Sequence, residues 1–314
     1  MRQFIARRLL TLVPVMLIAA TIVFLLVHFI PGDPAAMILG EDARPEEIEQ
    51  LRRELGLDRP AYAQYFTWLG NAVVGNFGNS LYFDRPVLGV LVARLEPTMT
   101  LSLFAGLFAV CLGIPLGVVA ALRHGTGVDQ SAMTFSLFGV SIPNFWLGMN
   151  FILLFSVTLR WLPSTGFKGI ADGPWEMARY MIMPIIVLGL SQAALIARMT
   201  RANMLEVLRQ DYVRTARSKG VNERVVIFKH ALRNAMIPTV TVIGLVVGNL
   251  LSGSAVTETI FAIPGVGRLM VVSIARRDFP IIQGGIMLIA GFRVLVNLLV
   301  DVSYVIIDPR IRYS

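Results

Sequence analysis

The chain has 314 residues, 55% of them hydrophobic and 15% charged, with 28 Lys and Arg against 20 Asp and Glu, for a formal net charge of +8. An ordinary soluble domain carries roughly 25% charged residues, and the mean hydropathy here is +0.69, so a soluble enzyme is excluded and a helical membrane protein is expected. The basic residues gather at the edges of apolar segments, which argues against nucleic-acid binding.

A helix needs about 20 apolar residues to cross the hydrocarbon core, and six segments qualify: residues 5–30, 98–122, 131–159, 180–197, 238–257 and 281–307. Six spans put both termini on one side. Arg2, Arg7 and Arg8 precede the first span, and positive flanks stay in the cytoplasm. The first apolar run is too long for a secretory signal and ends in IPGDPAA without a small-residue cleavage site, so it reads as a retained anchor. Residues 31–97 carry ten acids against six Arg and are placed outside. Within them, RPEEIEQLRRELGLDRP repeats Ile48, Leu51 and Leu55 at helical spacing, with Gly56 as a C-terminal stop. The following YAQYFTWLGNAVVGNFGNS mixes aromatic and polar residues as a membrane interface does.

The remaining spans form a five-helix core over 98–307, interrupted by a cytoplasmic loop at 198–237 and an outer loop at 258–280, with 308–314 as a cytoplasmic tail. Small residues recur at four-residue spacing: Gly113 and Gly117; Gly189, Ala193 and Ala197; Gly244, Gly248 and Ser252. Such rows let helix backbones approach closely in lipid. Pro115, Pro143 and Pro184 lie in or near span interiors, where bends are expected. The single cysteine, Cys111, falls in mid-span and reads as packing.

Charge concentrates at 198–233, with nine Lys and Arg against three acids. The spacing predicts a helix over 203–219 carrying Leu205, Leu208, Tyr212 and Ala216 on one face. A left-handed turn at Gly220 follows, then a second helix capped by Asn222 with Val221, Val225, Phe228, Leu232 and Met236 as its stripe. Two readings of this hairpin stand open: a basic loop lying on anionic lipid, or a rigid element that docks into a soluble partner. In the last span, Arg293, Asn297 and Asp301 share one helical face. A charge at that depth costs about 2.5 to 3.5 kcal/mol on insertion scales unless paired or wet. It either snorkels toward an interface or faces the pathway or a companion subunit.

No GxxxxGK[ST] is present, so nucleotide hydrolysis is not expected of this chain. His28, His124 and His230 lack metal-ligand spacing, and no metal or cofactor is expected. Leu251-Ser252-Gly253-Ser254 has no histidine in a later span to serve as base, which argues against an intramembrane protease.

The stretch DYVRTARSKG followed by HALRNAMIP closely resembles the EAA loop of permease subunits in binding-protein-dependent ABC importers. The likeness to the dipeptide and oligopeptide permease branch continues through ARRLL, IPGDP, LRRELGLDRP, GNFGNS, PTMTLSL, SIPNFWLG, LPSTGF, ETIFAIPGVGRL, RRDFPIIQGG, NLLVDVSY and DPRIRY. The loop has Thr-Ala-Arg where the motif name has Glu-Ala-Ala. The resemblance implies an all-α type I importer permease fold in the bacterial inner membrane. In that fold Asp211, Tyr212, Thr215, Ala216, Arg217, Lys219 and Gly220 would couple to an ATPase, and the loop holding Glu258, Pro264, Gly265 and Gly267 would shape an outer gate. It implies a second, homologous permease subunit, two ATP-binding subunits that hold ATP and Mg, and a periplasmic or lipid-anchored binding protein. Peptides are the implied substrate, with glutathione, nickel chelates, opines and oligosaccharides as alternatives. A secondary transporter or channel working without an ATPase is the rival of another class.

Overall fold

A computed structural model of the protein describes residues 2–29, 35–36, 44–54 and 56–307. The predicted IPGDP segment and the DPRIRY tail lie outside them, as do the side chains of Arg2, Arg7, Arg8, Ser252 and Asp301. Among the described residues the regular structure is helical, apart from one isolated bridge, Asn79 to Pro86. Among the described residues four helices are long and apolar enough to cross a bilayer, five when one bent pair counts as a single span. The first helix, α1 (Arg2–Phe29), overlaps the predicted first span and carries a shorter apolar stretch at Leu12–Leu26. Two compact units result: Met1–Arg94 with Leu269–Phe292, and Leu95–Arg268 with Arg293–Ser314.

In the first unit α1 is followed by α2 (Pro45–Glu54), α3 (Ala61–Val73) and α4 (Val87–Ala93). The predicted amphipathic helix is α2. Glu46 and Glu47 occupy its first turn and Arg52 and Arg53 its last, matching the helix dipole. Gly56, at φ +67, ends it as expected, and Leu57 N–H donates to Arg52 O at 2.9 Å. The interfacial aromatics form α3, which packs on α1. Tyr65 and Trp68 lie 5.3 and 5.9 Å from the Phe24 ring, and the Tyr65 hydroxyl meets Thr21 Oγ1 at 2.9 Å. Tyr62, Phe66 and Val73 remain exposed. The loop before α4 is tied down by the buried Asp278, whose carboxylate accepts from Ser80 Oγ and from the Leu81 and Tyr82 N–H groups at 3.3 Å.

The second unit holds α5 (Leu95–Leu122), α6 (Gly127–Ser141), α7 (Asn144–Phe151, continued by wider π turns at Ile152–Thr158) and α8 (Pro174–Leu208). It continues with α9 (Asp211–Ser218) and α10 (Arg233–Ile260). Then α11 (Val266–Ala275) begins in this unit and α12 (Phe279–Ile307) ends in it. Two of the three predicted small-residue rows, Gly113 with Gly117 and Gly189 with Ala193 and Ala197, are where α5 and α8 meet, whereas the third lies on α10, where a Cβ on Gly248 would meet nothing nearer than 4.0 Å. A Cβ on Gly113 would sit 2.7 Å from the Ala193 carbonyl oxygen and one on Gly189 2.8 Å from that of Ala105, so only hydrogen fits. This close approach lets dispersion contacts hold the pair where water cannot drive association. Leu101, Ala105, Met181, Val187, Ile196, Leu250 and Phe261 fill the core around it.

The predicted third span, residues 131–159, is not straight: α6 and the helix beginning at Asn144 meet at 97°. The cause is Pro143, which cannot donate a backbone hydrogen bond and pushes the preceding residue out of the helical region. Ile142 accordingly sits at φ −77, ψ 122. Pro115 and Pro184, by contrast, are held inside unbroken helices. Pro238, predicted to mark entry to the fifth span, also lies within α10, because the helix already starts at Arg233. At 1.5 Å per residue the 35-residue α8 is about 50 Å long, against a hydrocarbon core of about 30 Å. The helix therefore exceeds the core by about 20 Å, and its C-terminal turns lead into the basic segment.

Candidate functional site: the cytoplasmic hairpin

The predicted first helix of the hairpin is interrupted. α8 stops at Leu208, Gln210 turns extended at φ −69, ψ 146, and α9 restarts at Asp211. A continuous helix with Leu205, Leu208, Tyr212 and Ala216 inward would have left Val213 on another face. The break re-aims the chain so that Val213 and Ala216 pack together on Val226, flanked by Val207, Leu208 and Val221. Ala216 is thus 9% exposed and faces the hairpin's own interior, whereas Tyr212 is 42% exposed.

The turn at Gly220 forms as the sequence predicts, at φ +72. Val221 N–H donates to Ala216 O at 3.2 Å and Gly220 N–H to Arg217 O at 2.9 Å, the paired bonds of a Schellman motif. The contact of Val221 with Ala216 adds its usual apolar clasp. Asn222 caps the second arm, its side chain accepting from Arg224 N–H at 3.0 Å. That arm runs Glu223–Val225, passes through π turns at Val226–Leu232 and joins α10. The extra residue per π turn changes which side chains face inward. Val226, Ala231 and Ala235 are buried, while the predicted stripe residues Val225 and Phe228 are exposed at 40% and 62%.

Charge is distributed unevenly. Arg217 spans the turn and forks onto Glu223, with Nε to Oε2 at 3.2 Å and Nη2 to Oε1 at 2.7 Å. That hydrogen bond raises the Arg217 pKa above its ordinary value, and the guanidinium closes the hairpin. Asp211 and Arg214 form a looser, exposed pair at 3.7 Å. Thr215 Oγ1 donates back to Asp211 O, and the Tyr212 hydroxyl accepts from Asn234 Nδ2 at 2.8 Å, which fixes its ring. Lys219 is exposed and forms no ion pair among the described residues. The outward set therefore includes Tyr212, Thr215, Lys219, Val225, Phe228 and Lys229: two ammonium groups without an ion pair among the described residues, beside aromatic and apolar surface, on a frame locked by its own bonds.

One cluster escaped the sequence. Asp129, in the first turn of α6, is buried and accepts two bonds from Arg201 on α8, the second from Nη2 at 2.7 Å. It also accepts Gly125 N–H at 3.0 Å, with His124 Nδ1 at 3.1 Å. An acid just after a glycine turn was the only local hint, because its partner is 72 positions away. The pair clamps the α5 to α6 turn onto α8 three turns or less before the hairpin.

Glu258, predicted to open the outer loop, instead lies in the last turn of α10, and it is fully buried. Its carboxyl accepts the Thr98 and Ser254 hydroxyls on Oε1 and the Arg268 N–H on Oε2, each at 2.8 Å, while Thr98 Oγ1 accepts Val266 N–H at 2.8 Å. Gly265 leaves the space this carboxyl occupies, and Gly267 lies against the Ala255 backbone. Pro264 sits between Ile263, whose N–H bonds Glu258 O, and Gly265, whose N–H bonds Ile263 O. These residues, predicted to line a gate, pin the loop to the N-terminal turn of α11. Arg293 and Asn297 are exposed on α12, and Asp301 belongs to the same helix with its side chain outside the described residues.

The sequence profile of the family described as binding-protein-dependent transport system inner membrane component matches residues 113–313, and that of its N-terminal region matches residues 1–103. Among full-length relatives, a Brucella abortus (strain 2308) protein whose name describes a peptide transport system permease is 45% identical over 314 residues, 100% of both chains. The glutathione transport system permease protein GsiC of Escherichia coli (strain K12) is 46% identical over 314 residues, again 100% of both. A solved structure of the MetNI methionine ABC transporter, in an inward-facing conformation, aligns with a TM-score of 0.58 at 19% identity, covering 70% of this chain and 97% of that one. At that identity the likeness speaks for the fold.

Proposed function

The chain belongs to the family of inner membrane components of binding-protein-dependent transport systems, and we propose that it forms half of the pathway of an ATP-driven peptide importer. The peptide reading follows the names of its relatives, which are full-length matches. The one observation that favours a second substrate is the equally extensive match to a glutathione permease, itself handling a modified tripeptide.

The hairpin carries the coupling reading. A polar, self-bonded element that stands beyond the bilayer yet exposes Tyr212, Val225 and Phe228 beside Lys219 is suited to a soluble partner's groove rather than to lipid. The partner is an ATP-binding subunit, two per complex, and ATP with Mg is bound there. The second half of the pathway comes from a homologous but distinct permease, and a binding protein brings substrate from outside. Closure of the ATPase dimer on ATP displaces both hairpins, and rigid helices pass that displacement to the spans. Two arrangements of the pathway are thereby populated in turn, through contacts that differ between them.

The test is reconstitution of the whole complex in proteoliposomes with binding protein outside and ATP inside, using a short peptide and glutathione as probes. ATP-dependent uptake of the peptide, abolished by Phe228→Asp together with loss of ATPase co-purification, is the expected result. Uptake that persists without ATPase subunits would establish the secondary-transporter class instead.

A further inference from the structure

Arg293 is the central residue of α12, fourteen positions from Phe279 and fourteen from Ile307. At 1.5 Å per residue α12 is about 43 Å long, more than the hydrocarbon core of about 30 Å, so with the helix centred Arg293 lies about 15 Å from either face of that core, further than an arginine side chain snorkels. A second helix reports the same depth. A Cβ on Gly248, midway along the apolar part of α10, would lie 4.0 Å from Arg293 Cγ. The arginine stem therefore passes beside Gly248, midway along α10, and the space about Gly253 a little further along α10 is open too.

At this depth the guanidinium has five N–H donors and no acceptor. Among the described residues it makes no hydrogen bond or ion pair, and it is exposed. Asn297, one turn on and on the same face, is likewise exposed and unpaired among the described residues. Hydrocarbon offers nothing to accept these bonds, so the face must meet a wet cavity or an acidic group. A fixed acid from a neighbouring subunit would add the cost of stripping water from a second charge at the same depth. A solute crossing a wet path brings its carboxylate hydrated and exchanges water for the arginine fork reversibly.

We propose that Arg293 is a substrate-binding residue of the pathway that takes the C-terminal carboxylate of the peptide bidentately, with Asn297 as an auxiliary donor. The assignment rests on the peptide-import reading above. A terminal carboxylate is common to all unmodified peptides, so this contact grips the substrate whatever its side chains. Lysine in place of Arg293 keeps the charge but loses the planar fork.

The experiment uses the complete reconstituted importer and two probes, trialanine and trialanine with an amidated C-terminus. Uptake of each is measured for the unaltered complex, Arg293→Gln and Arg293→Lys. The binding protein is the same in every sample, so its own preference cancels when the acid-to-amide uptake ratio is compared between complexes. Arg293→Gln lowers that ratio by about tenfold or more, as loss of hydrogen bonds to a charged group implies, and Arg293→Lys gives an intermediate ratio. An unchanged ratio, with both probes equally affected or unaffected, overturns the assignment while leaving peptide import standing. Loss of the companion permease on purification of Arg293→Gln also overturns it, in favour of a subunit contact. Failure of the unaltered complex to import either probe sinks the peptide reading itself, and this assignment with it.

Discussion

Replacing Gly220 by valine isolates the contribution of one backbone angle to coupling. Gly220 sits at φ +72, and nothing lies within 4 Å of where a Cβ would be placed. Crowding by neighbours is therefore absent, and the penalty is that of holding an L-residue in the left-handed region, roughly 1 to 2 kcal/mol. A change of that size moves an equilibrium by a factor of about 5 to 30, here from the closed hairpin toward one in which the Schellman bonds to Ala216 and Arg217 are broken. Asparagine tolerates the conformation better than alanine, and alanine better than a β-branched residue. The expected order of ATPase co-purification and of ATP-dependent uptake is Gly, Asn, Ala, Val. Gly78 supplies the control. It has φ +79 and equally open surroundings, but it lies in the segment between α3 and α4, so Gly78→Val carries the same local strain without touching the hairpin. Equal ATPase binding by Gly220→Val and the unaltered chain would refute the reasoning. So would loss of the ATPase from Gly78→Val to the same degree.

Two further outcomes follow from the buried polar clusters. Glu258→Ala leaves the donors of Thr98, Ser254 and Arg268 without their acceptor, a cost on the order of 3 kcal/mol or more at 1 to 3 kcal/mol for each buried unsatisfied group. It should lower the unfolding temperature in detergent and make a cysteine placed at Pro264 newly reactive to a thiol reagent. Glu258→Gln should lie between, since the amide can still accept but must turn its own donor toward one of these groups. Asp129→Asn keeps shape and the Gly125 contact but leaves Arg201 half of its pairing. Because Arg201 retains some access to water, the loss is about 1 to 3 kcal/mol, and combining it with Arg201→Gln should cost less than the sum of the two. A strictly additive double-mutant cycle, read by thermal unfolding, would show that the two side chains act independently.

Local chemistry explains why much of the architecture was legible. Apolar runs of about 20 residues announce spans because the bilayer permits no unsatisfied backbone. Gly56 and Gly220 announce helix ends because few other residues accept their angles, and the rows at Gly113, Gly117, Gly189 and Ala193 announce where α5 and α8 touch. The hairpin's turn and its Asn222 cap follow from signals spanning fewer than forty residues. Its inward and outward faces do not. The break at Arg209 and Gln210 and the π turns at Val226–Leu232 rotate the helical wheel, so Val213 joins Ala216 inside the hairpin, while Tyr212 and Phe228, both expected on inward faces, are turned out.

What the sequence determined by itself is the set of properties that depend on short-range pattern: the all-helical membrane class and the existence and hinge of the hairpin. What only the tertiary structure decided is pairing at long range. Glu258 joins Thr98 across 160 positions and Asp129 joins Arg201 across 72, and no local rule selects one acceptor for a donor that far along the chain. Those partners are chosen when the spans pack, because a buried carboxyl must find its donors wherever the helices bring them.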